Sequence, residues 1–126
     1  MVAPSRPHLP TPVPIDAYGN GGFRFAGMSH RGSLLCLPDG VWGWPVAAID
    51  EVTDTALADV IARAGALDIF LLGCGRDPWA PPQALRERFK AARISFDAMT
   101  TAAAVRTYNI LLAERRRAGA GLIAVG

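Results

Sequence analysis

The spacing of apolar and polar positions changes along the chain, and each spacing predicts a different kind of element. Residues 15–44 contain short aromatic or aliphatic runs separated by glycines, a pattern typical of β-strands. Phe23-Arg24-Phe25 alternates and predicts a strand with one solvated face. Residues 28–32 are predicted as a hairpin connection, Ser33–Leu37 as the returning strand, and residues 41–45 as a third short strand.

After Val46 the apolar spacing becomes helical. Leu57, Val60, Ile61 and Ala64 mark one face of a predicted helix that Gly65 ends. Residues 69–72 are then apolar without alternation, and Gly73-Cys74-Gly75 follows directly. A short unbroken apolar run of this kind predicts a strand buried on both faces and ended by a tight turn.

Helices and strands alternate through the rest of the chain. The predicted elements are a helix opening at Pro81-Pro82, a strand at 94–99, a helix capped by Thr100 or Thr101 and running to about Ala118, and a strand at 122–125. Glycines at 119 and 121 are expected to break the last helix. The order predicts a three-stranded parallel core made by two right-handed β-α-β crossovers, with the N-terminal β-hairpin region extending or covering the sheet.

The third helix has a core stripe and an unusual outer face. At about 100° per residue, Thr101, Val105, Tyr108 and Leu112 lie on one line, and Ile110 lies roughly opposite. Single exposed apolar residues are ordinary on protein surfaces, but a docking surface is the sharper interpretation. Asn109 lies off both faces and is expected to bond a neighbouring backbone group. The candidate partner surface is Arg106, Asn109, Ile110, Glu114 and Arg117.

Composition limits the class of protein. A chain of 126 residues suits one domain, predicted at 15–126 after a proline-rich N-terminal tail at 1–14. A net charge of +2 gives no case for nucleic-acid binding, and no apolar run approaches a membrane span, which leaves only peripheral association with a membrane open. No apolar signal core is present, so we expect a cytoplasmic protein with reduced thiols.

The turn after the buried strand is the candidate ligand crevice. Glycine turns and helix starts that follow parallel strands meet at one edge of the sheet, where their N–H groups favour anions. Asp97, about 20 residues beyond the glycines, resembles the ribose-binding acid of dinucleotide folds. A third glycine is missing and Pro78 stands where a helix should start, which weakens a nucleotide site. The candidate residues are Gly73, Cys74, Gly75, Arg76, Asp97, Thr100 and Thr101.

Catalysis and metal binding have little support in the sequence. Cys74 would need a basic neighbour to form a thiolate, and His30 lies on a distant hairpin, so a small buried cysteine is the favoured interpretation. Two cysteines and two histidines without paired spacing predict no metal site. No catalytic residue and no cofactor are predicted. The acids Asp50, Glu51 and Asp54 are expected to complement a helix dipole.

Several motifs together carry a family resemblance. They are Ile15-Asp16-x-Tyr18-Gly19-x-Gly21-Gly22-Phe23-Arg24, Gly32-Ser33-Leu34-Leu35, Pro38, Trp44, Gly73-Cys74-Gly75, and Met99-x-Thr101-x-x-Ala104-x-Arg106-Thr107-Tyr108-Asn109-x-Leu111 with Glu114-x-Arg116. The chain resembles, from about Ile15 to its end, a domain-of-unknown-function family that includes the mitochondrial respiratory complex I assembly factor three. Two departures are Cys74, where the family usually has threonine, and Arg93, where a glycine often stands.

The resemblance implies a fold and a kind of function. It implies a three-layer α/β domain with a small mixed β-sheet, no established catalytic set, and a eukaryotic relative that binds other assembly proteins. Two hypotheses therefore remain. One is a non-enzymatic protein that binds respiratory-chain subunits or assembly factors through the outer face of the third helix and the arginine cluster at 115–117. The other is a protein, or an enzyme, that binds a small anionic ligand in the crevice at Gly73-Cys74-Gly75.

Overall fold

Strands and helices in three layers make up the fold, which a computed structural model describes for residues 8–126. The strands are β1 Ala17–Gly19, β2 Gly22–Phe25, β3 Met28–Arg31, β4 Ser33–Leu37, β5 Gly40–Trp44, β6 Ile69–Gly73, β7 Ser95–Met99 and β8 Ala118–Leu122. The α-helices are α1 Ala58–Ala62, α2 Gln83–Ala91 and α3 Thr101–Ala113, with short 3-10 turns at Ile49–Glu51 and Ala64–Ala66. Within this part of the chain, no helix is long and apolar enough to cross a membrane.

A five-stranded mixed sheet in the order β5-β4-β8-β6-β7 is the middle layer. β6 runs parallel to both β7 and β8, which confirms the predicted parallel core. β4 pairs antiparallel with β8 and with β5, so the N-terminal strands extend the sheet. The mixed sheet of the predicted fold class is therefore confirmed.

Both faces of this sheet are covered, and β6 shows why its sequence does not alternate. Leu71 belongs to the core on one face, which α3 and β2 cover with Tyr108 and Phe25. Phe70 and Leu72 belong to the core on the other face, which α1 and α2 cover with residues such as Phe89. Because every side chain of the strand meets an apolar layer, the unbroken apolar run is the expected sequence.

A second, three-stranded sheet corrects the predicted hairpin. Residues 28–32 do not connect two paired strands, because β3 pairs with β2 in the order β1-β2-β3, while β4 joins the central sheet. The tight turn lies earlier, at Ala26 and Gly27, which have φ of 51° and 77°. Paired positive φ values are typical of hairpin turns, but alanine seldom occupies one. The turn at Ala26 and Gly27 was not predicted, because β3 has a polar sequence and alanine is not a typical turn residue.

The end of α3 and the last strand also differ from the prediction. α3 ends at Ala113 instead of about Ala118, and Arg115 adopts a left-handed φ of 60°. The glycines expected to break the helix lie inside β8, which is Ala118–Leu122 instead of 122–125. They are required there by close packing: a Cβ at Gly121 would lie 2.6 Å from Cζ3 of Trp44. A strand of alanine and glycine has no strand propensity of its own.

Smaller features complete the fold. α1 is shorter than its apolar stripe suggested, although Leu57 and Val60 are buried as predicted. Arg93, at the end of α2, has a φ of 60°, a conformation that favours the glycine often found there in the resembling family. Of the predicted tail, residues 1–7 lie outside the described residues. His8 donates its backbone N–H to the carbonyl of Val41, and Leu9 pairs with the same residue.

Candidate functional site

The carboxyl ends of the parallel strands bring the predicted crevice residues together. The turn after β6 lies beside the first turn of α3, as the topology predicted. The Thr101 N–H donates to the carbonyl of Gly75 at 2.8 Å, and the Cys74 N–H donates to the carbonyl of Met99 at 2.8 Å. Thr100 caps α3 by accepting the Ala103 N–H at 3.3 Å. The backbone groups of this edge are therefore engaged with one another.

The side chain of Thr101 fills the space between the glycine turn and the last strand. Thr101 is fully buried, and its hydroxyl donates to the carbonyl of Ile123 at 2.7 Å while accepting the Gly75 N–H at 3.0 Å. A Cβ at Gly73 would lie 3.0 Å from the Thr101 Cα, and Gly75 has a left-handed φ of +104°. Glycine at 73 thus lets the strand end pack directly on the helix, and glycine at 75 permits the left-handed turn. No room for an anion is left at this hydroxyl.

Cys74 is a buried thiol in this turn. It is 8% exposed, and its Sγ donates to the carbonyl of Asp77 at 3.2 Å. Burial raises the pKa of the Cys74 thiol, so the thiolate that a nucleophile requires is disfavoured. This environment agrees with the packing interpretation of the cysteine.

Two further crevice candidates point away from the turn. The Arg76 guanidinium donates to the carbonyl of Gly126 at the surface. Asp97 is exposed on β7 and lines a separate shallow groove with Trp79 and Arg86. Six of the seven candidate residues therefore share one end of the sheet, whereas Asp97 lies in the middle of β7 opposite Leu71, and the seven do not surround a common cavity. Their role in binding a ligand stays a prediction.

The outer face of α3 has the exposed apolar residue that its helical position predicted. Tyr108 and Val105 face the core, while Ile110 is 53% exposed. Arg106 and Glu114, one turn to either side of Ile110, are also exposed. Ile110 and Tyr18 are the two large exposed hydrophobic residues within the described chain.

Asn109 joins α3 to the segment before β1. Its Oδ1 accepts the Ile15 N–H at 2.8 Å, and its Nδ2 donates to the Ile15 carbonyl at 2.8 Å. The predicted bond to a backbone group is confirmed, and it is made twice to the same residue. A groove of about 460 Å³ lies beside this contact, lined by Ile15, Asp16, Ala17, Tyr18, Ala102, Val105, Arg106 and Asn109. The side chains of Tyr18, Arg106, Ile110 and Glu114 are named the α3 face below.

Arg117 does not lie on the α3 face. The prediction extended α3 to about Ala118, but the helix ends at Ala113. The Arg117 guanidinium instead forms an ion pair with Asp68 at 2.6 Å and also donates to the carbonyl of Gly65. This pairing lowers the pKa of Asp68. Arg117 therefore connects the start of β8 to the start of β6.

Two features near β5 were not singled out from the sequence as sites. Trp42 and Trp44 alternate around Gly43 and line one groove, a placement that period-2 alternation alone would have indicated. His8, to which no role was assigned, bonds His30 through Nε2 and Nδ1 at 2.9 Å. Because the carbonyl of Ser33 accepts from His30 Nε2 at 3.0 Å, the His30 Nδ1 is the acceptor for His8. No sequence signal connects two histidines 22 residues apart.

A core tyrosine also has an unusual environment. The Tyr108 hydroxyl is buried and has no hydrogen-bond partner among the described residues. It faces the fully buried thiol of Cys36, and burial raises the pKa of that thiol to about 12. Burial also raises the pKa of the Tyr108 hydroxyl, so both groups stay neutral. The pair is enclosed in the core between α3 and the central sheet and has no access to a ligand.

Comparison with known proteins supports the resemblance found in the motifs. An uncharacterized protein of Rhodobacter capsulatus is 39% identical over 97% of this chain and 93% of its own length. The Drosophila melanogaster protein named NADH dehydrogenase [ubiquinone] 1 alpha subcomplex assembly factor 3 is 28% identical over 86% of this chain. The chain spans 57% of the length of that assembly factor.

A solved structure shares both the sequence and the fold. The NMR structure of the Rpa2829 protein of Rhodopseudomonas palustris is 49% identical and has a TM-score of 0.85, covering 99% of this chain and 93% of its own. Residues 15–123 match a family that is described as protein of unknown function (DUF498/DUF598). The chain belongs to that family.

Proposed function

We propose that this protein is a non-enzymatic binding protein that acts in the assembly of respiratory complex I by contacting other proteins. The name of its eukaryotic relatives, NADH dehydrogenase assembly factor 3, supports the process. The α3 face supports the mode of action, because its apolar side chain at Ile110 is more than half exposed. The partners proposed are respiratory-chain subunits or other assembly factors.

The observation that carries the proposal is the exposure of Ile110. At 53% exposed, it lies between the charged residues Arg106 and Glu114 on a helix whose opposite side buries Val105 and Tyr108. Completing the burial of an isoleucine side chain contributes on the order of 1 kcal/mol. Arg106 and Glu114 would surround that contact with charges of both signs, which is typical of the polar rim around an interface centre. Tyr18 adds an aromatic side chain of the kind enriched at interfaces.

A capture experiment tests the proposal. The purified protein is immobilised and incubated with a detergent extract of bacterial membranes, and bound respiratory-chain proteins are identified by mass spectrometry. The Ile110→Asp variant is expected to lose them, because a carboxylate would be buried in the apolar centre of the interface. Ala84→Asp is the matched control, since it adds the same charge at an exposed position on α2.

Three outcomes would contradict the proposal or a part of it. If wild-type protein captures no respiratory-chain or assembly protein above the level of blank resin, the proposed action in complex I assembly is wrong. If Ile110→Asp captures the same proteins as wild type, the process stands but the α3 face is not the surface. Equal losses in Ile110→Asp and Ala84→Asp would also contradict the α3 face, because added charge anywhere would then explain the effect.

Two further parts of the proposal concern compartment and domain organisation. We propose action in the cytoplasm, supported by Cys36 and Cys74, which are both unpaired. We also propose that residues 15–126 fold as the domain and that the proline-rich segment before them is an arm. No observation favours the alternative function, a small anionic ligand at Gly73-Cys74-Gly75, because the Thr101 side chain occupies that turn.

A further inference from the structure

A groove of about 590 Å³ opens on the side of the central sheet opposite α3. Its floor is apolar and consists of Leu35, Leu37, Trp42 and Trp44, and its rim is formed by residues 50–63, which lead into and through α1. The volume is within the roughly 300–1,000 Å³ of sites that hold a drug-sized ligand. The groove is also larger than a single side chain, so it has room for several consecutive groups of a ligand.

The floor of the groove is held in position before any ligand arrives. The Trp44 indole N–H donates to the carbonyl of Ala56 at 3.1 Å. Its ring lies directly on Gly121, where a Cβ would approach Cζ3 to 2.6 Å. The side chain therefore has a fixed partner for its polar atom and a matched surface under its ring. A pre-positioned aromatic floor lowers the entropy lost when a ligand binds.

The rim is fixed as well. Glu51 Oε1 accepts the backbone N–H groups of Ala47 and Ala48 at 2.6 and 3.0 Å, which closes the loop after β5. The Arg63 guanidinium donates to both carboxylate oxygens of Asp39 at 2.7 and 3.0 Å and lies 5.0 Å from the centre of the Trp42 ring. One wall of the groove is thus a cation stacked on an indole.

The charge of the rim is opposite to that of the whole protein. Asp50, Glu51 and Asp59 line the groove with a single cation, Arg63, whereas the chain has a net charge of +2. Arg63 is paired with Asp39, which does not line the groove, and also lies 3.9 Å from the Asp59 carboxylate, so the lining has three carboxylates to one cation. The local excess of carboxylate therefore favours a ligand with basic groups.

The contacts available to a ligand are the floor and the rim of the groove, instead of the edge of the sheet. β5 is the edge strand of the central sheet, and Val41 directs both its backbone groups outwards, to His8 and Leu9. Because outward groups alternate along an antiparallel strand, the backbone groups of Trp42 and Trp44 face β4, and Gly43 is the next residue whose backbone groups face outwards.

We propose that this groove binds an extended peptide segment of a partner protein in which apolar side chains alternate with lysine or arginine. The apolar side chains lie on Trp42 and Trp44, and the basic ones reach Asp50 and Asp59. The inference goes beyond the proposed function, because the groove is on the other side of the sheet from the α3 face. Its test also needs no respiratory component.

Tryptophan fluorescence measures the binding directly. In a Trp79→Phe background, the remaining indoles are Trp42 and Trp44, and both line the groove. The probe is an acetylated, amidated hexapeptide of sequence Leu-Lys-Phe-Lys-Leu-Lys, and its comparison peptide has glutamate in place of each lysine. Saturable change of the emission is expected with the lysine peptide, at concentrations at least about tenfold lower than with the glutamate peptide.

Charge variants locate the site. Asp50→Asn combined with Asp59→Asn is expected to weaken binding of the lysine peptide by about three- to tenfold, because two exposed charge pairs are lost. Glu87→Gln is the matched control on α2, where the residue is exposed outside the groove, and it should leave binding unchanged. Ile110→Asp should also bind the peptide normally, which separates this inference from the α3 face.

Several results would overturn the inference. They are no emission change with the lysine peptide, equal affinity for both peptides, and wild-type affinity in the double asparagine variant. A change of emission with protein concentration alone, together with a dimer in analytical ultracentrifugation, would also overturn it. That result would identify a second copy of the chain as the occupant of the groove.

Discussion

The glycine turn at 73–75 packs against the start of α3, and most of the α3 face lies further along the same helix. The turn is closed by internal contacts, whereas the α3 face is exposed. In the turn, the Thr101 hydroxyl bonds Gly75 and Ile123, and the Cys74 thiol bonds the Asp77 carbonyl. On the α3 face, Ile110 is 53% exposed, and no ion pair forms at Arg106 or Glu114 within the described residues. The polar groups of the turn find partners within the protein, whereas the α3 face keeps exposed side chains without an ion pair among the described residues.

The difference teaches how to interpret a motif without known chemistry. Thr101 and Asn109 belong to the same sequence motif, and both make two hydrogen bonds to backbone groups far away in the chain. Those contacts give both residues a role in the fold that does not require a ligand. Ile110 lies beside Asn109 in the sequence but is exposed and is not part of the core. The residue left unexplained by the fold is the better candidate for function.

The largest effect is expected where the turn is packed most closely. Gly73→Val should lower the free energy of unfolding by about 3 kcal/mol, because a Cβ there already meets the Thr101 Cα at 3.0 Å and the valine methyl groups have no space. Urea unfolding followed by circular dichroism measures the change. Gly65→Val is the control, since a Cβ at Gly65 meets nothing within 4 Å, and its effect should stay below about 1 kcal/mol. Equal effects of the two variants would show that the turn is not tightly filled.

The hydroxyl of Thr101 is the next test of the filled turn. Thr101→Val should lower the free energy of unfolding by about 2 kcal/mol, because the partly buried Gly75 N–H and the Ile123 carbonyl would both lose their partner. Thr101→Ser keeps the hydroxyl and loses one methyl group, so about 1 kcal/mol is expected. The same urea titration compares them. If valine is tolerated as well as serine, water reaches the turn and the account of a closed edge is wrong.

A smaller effect is expected for the reactivity of Cys74. Its thiol is 8% exposed and its pKa is raised by burial, so little thiolate forms at pH 8. Alkylation by iodoacetamide, followed for each cysteine by peptide mass spectrometry, should be at least about tenfold slower in the folded protein than in urea. Cys36, whose pKa is raised to about 12, should react more slowly still. Fast native alkylation of Cys74 would indicate an activated thiol and reopen the catalytic hypothesis.

The sequence predicted those elements whose local pattern agrees with their tertiary surroundings. The apolar run of β6 and the parallel core around it were visible because both faces of that strand are buried. The exposure of Ile110 and the backbone bond of Asn109 followed from helical geometry alone. In each of these cases, one periodicity determined the placement of the residue.

Other features depend on contacts between distant residues, which no local pattern records. β8 is a strand because it pairs with β4 and β6, and its glycines leave room for side chains such as Trp44 from another part of the chain. The ion pair of Arg117 with Asp68 was missed because the length of α3 was overestimated from helix-favouring residues that continue past Ala113. The closure of the candidate crevice depends on the Thr101 rotamer that reaches the carbonyl of Ile123. Sequence placed the crevice residues together but did not show that they fill it.

The capture of respiratory-chain proteins per folded molecule tests the comparison most directly when Ile110→Asp and Thr101→Ser are measured side by side. Ile110→Asp should change the free energy of unfolding by less than about 0.5 kcal/mol, as surface substitutions do, yet reduce capture at least about tenfold. Thr101→Ser should lower stability and leave capture per folded molecule unchanged. Unchanged capture by Ile110→Asp, or a loss confined to Thr101→Ser, would contradict the assignment of binding to the α3 face and of packing to the glycine turn.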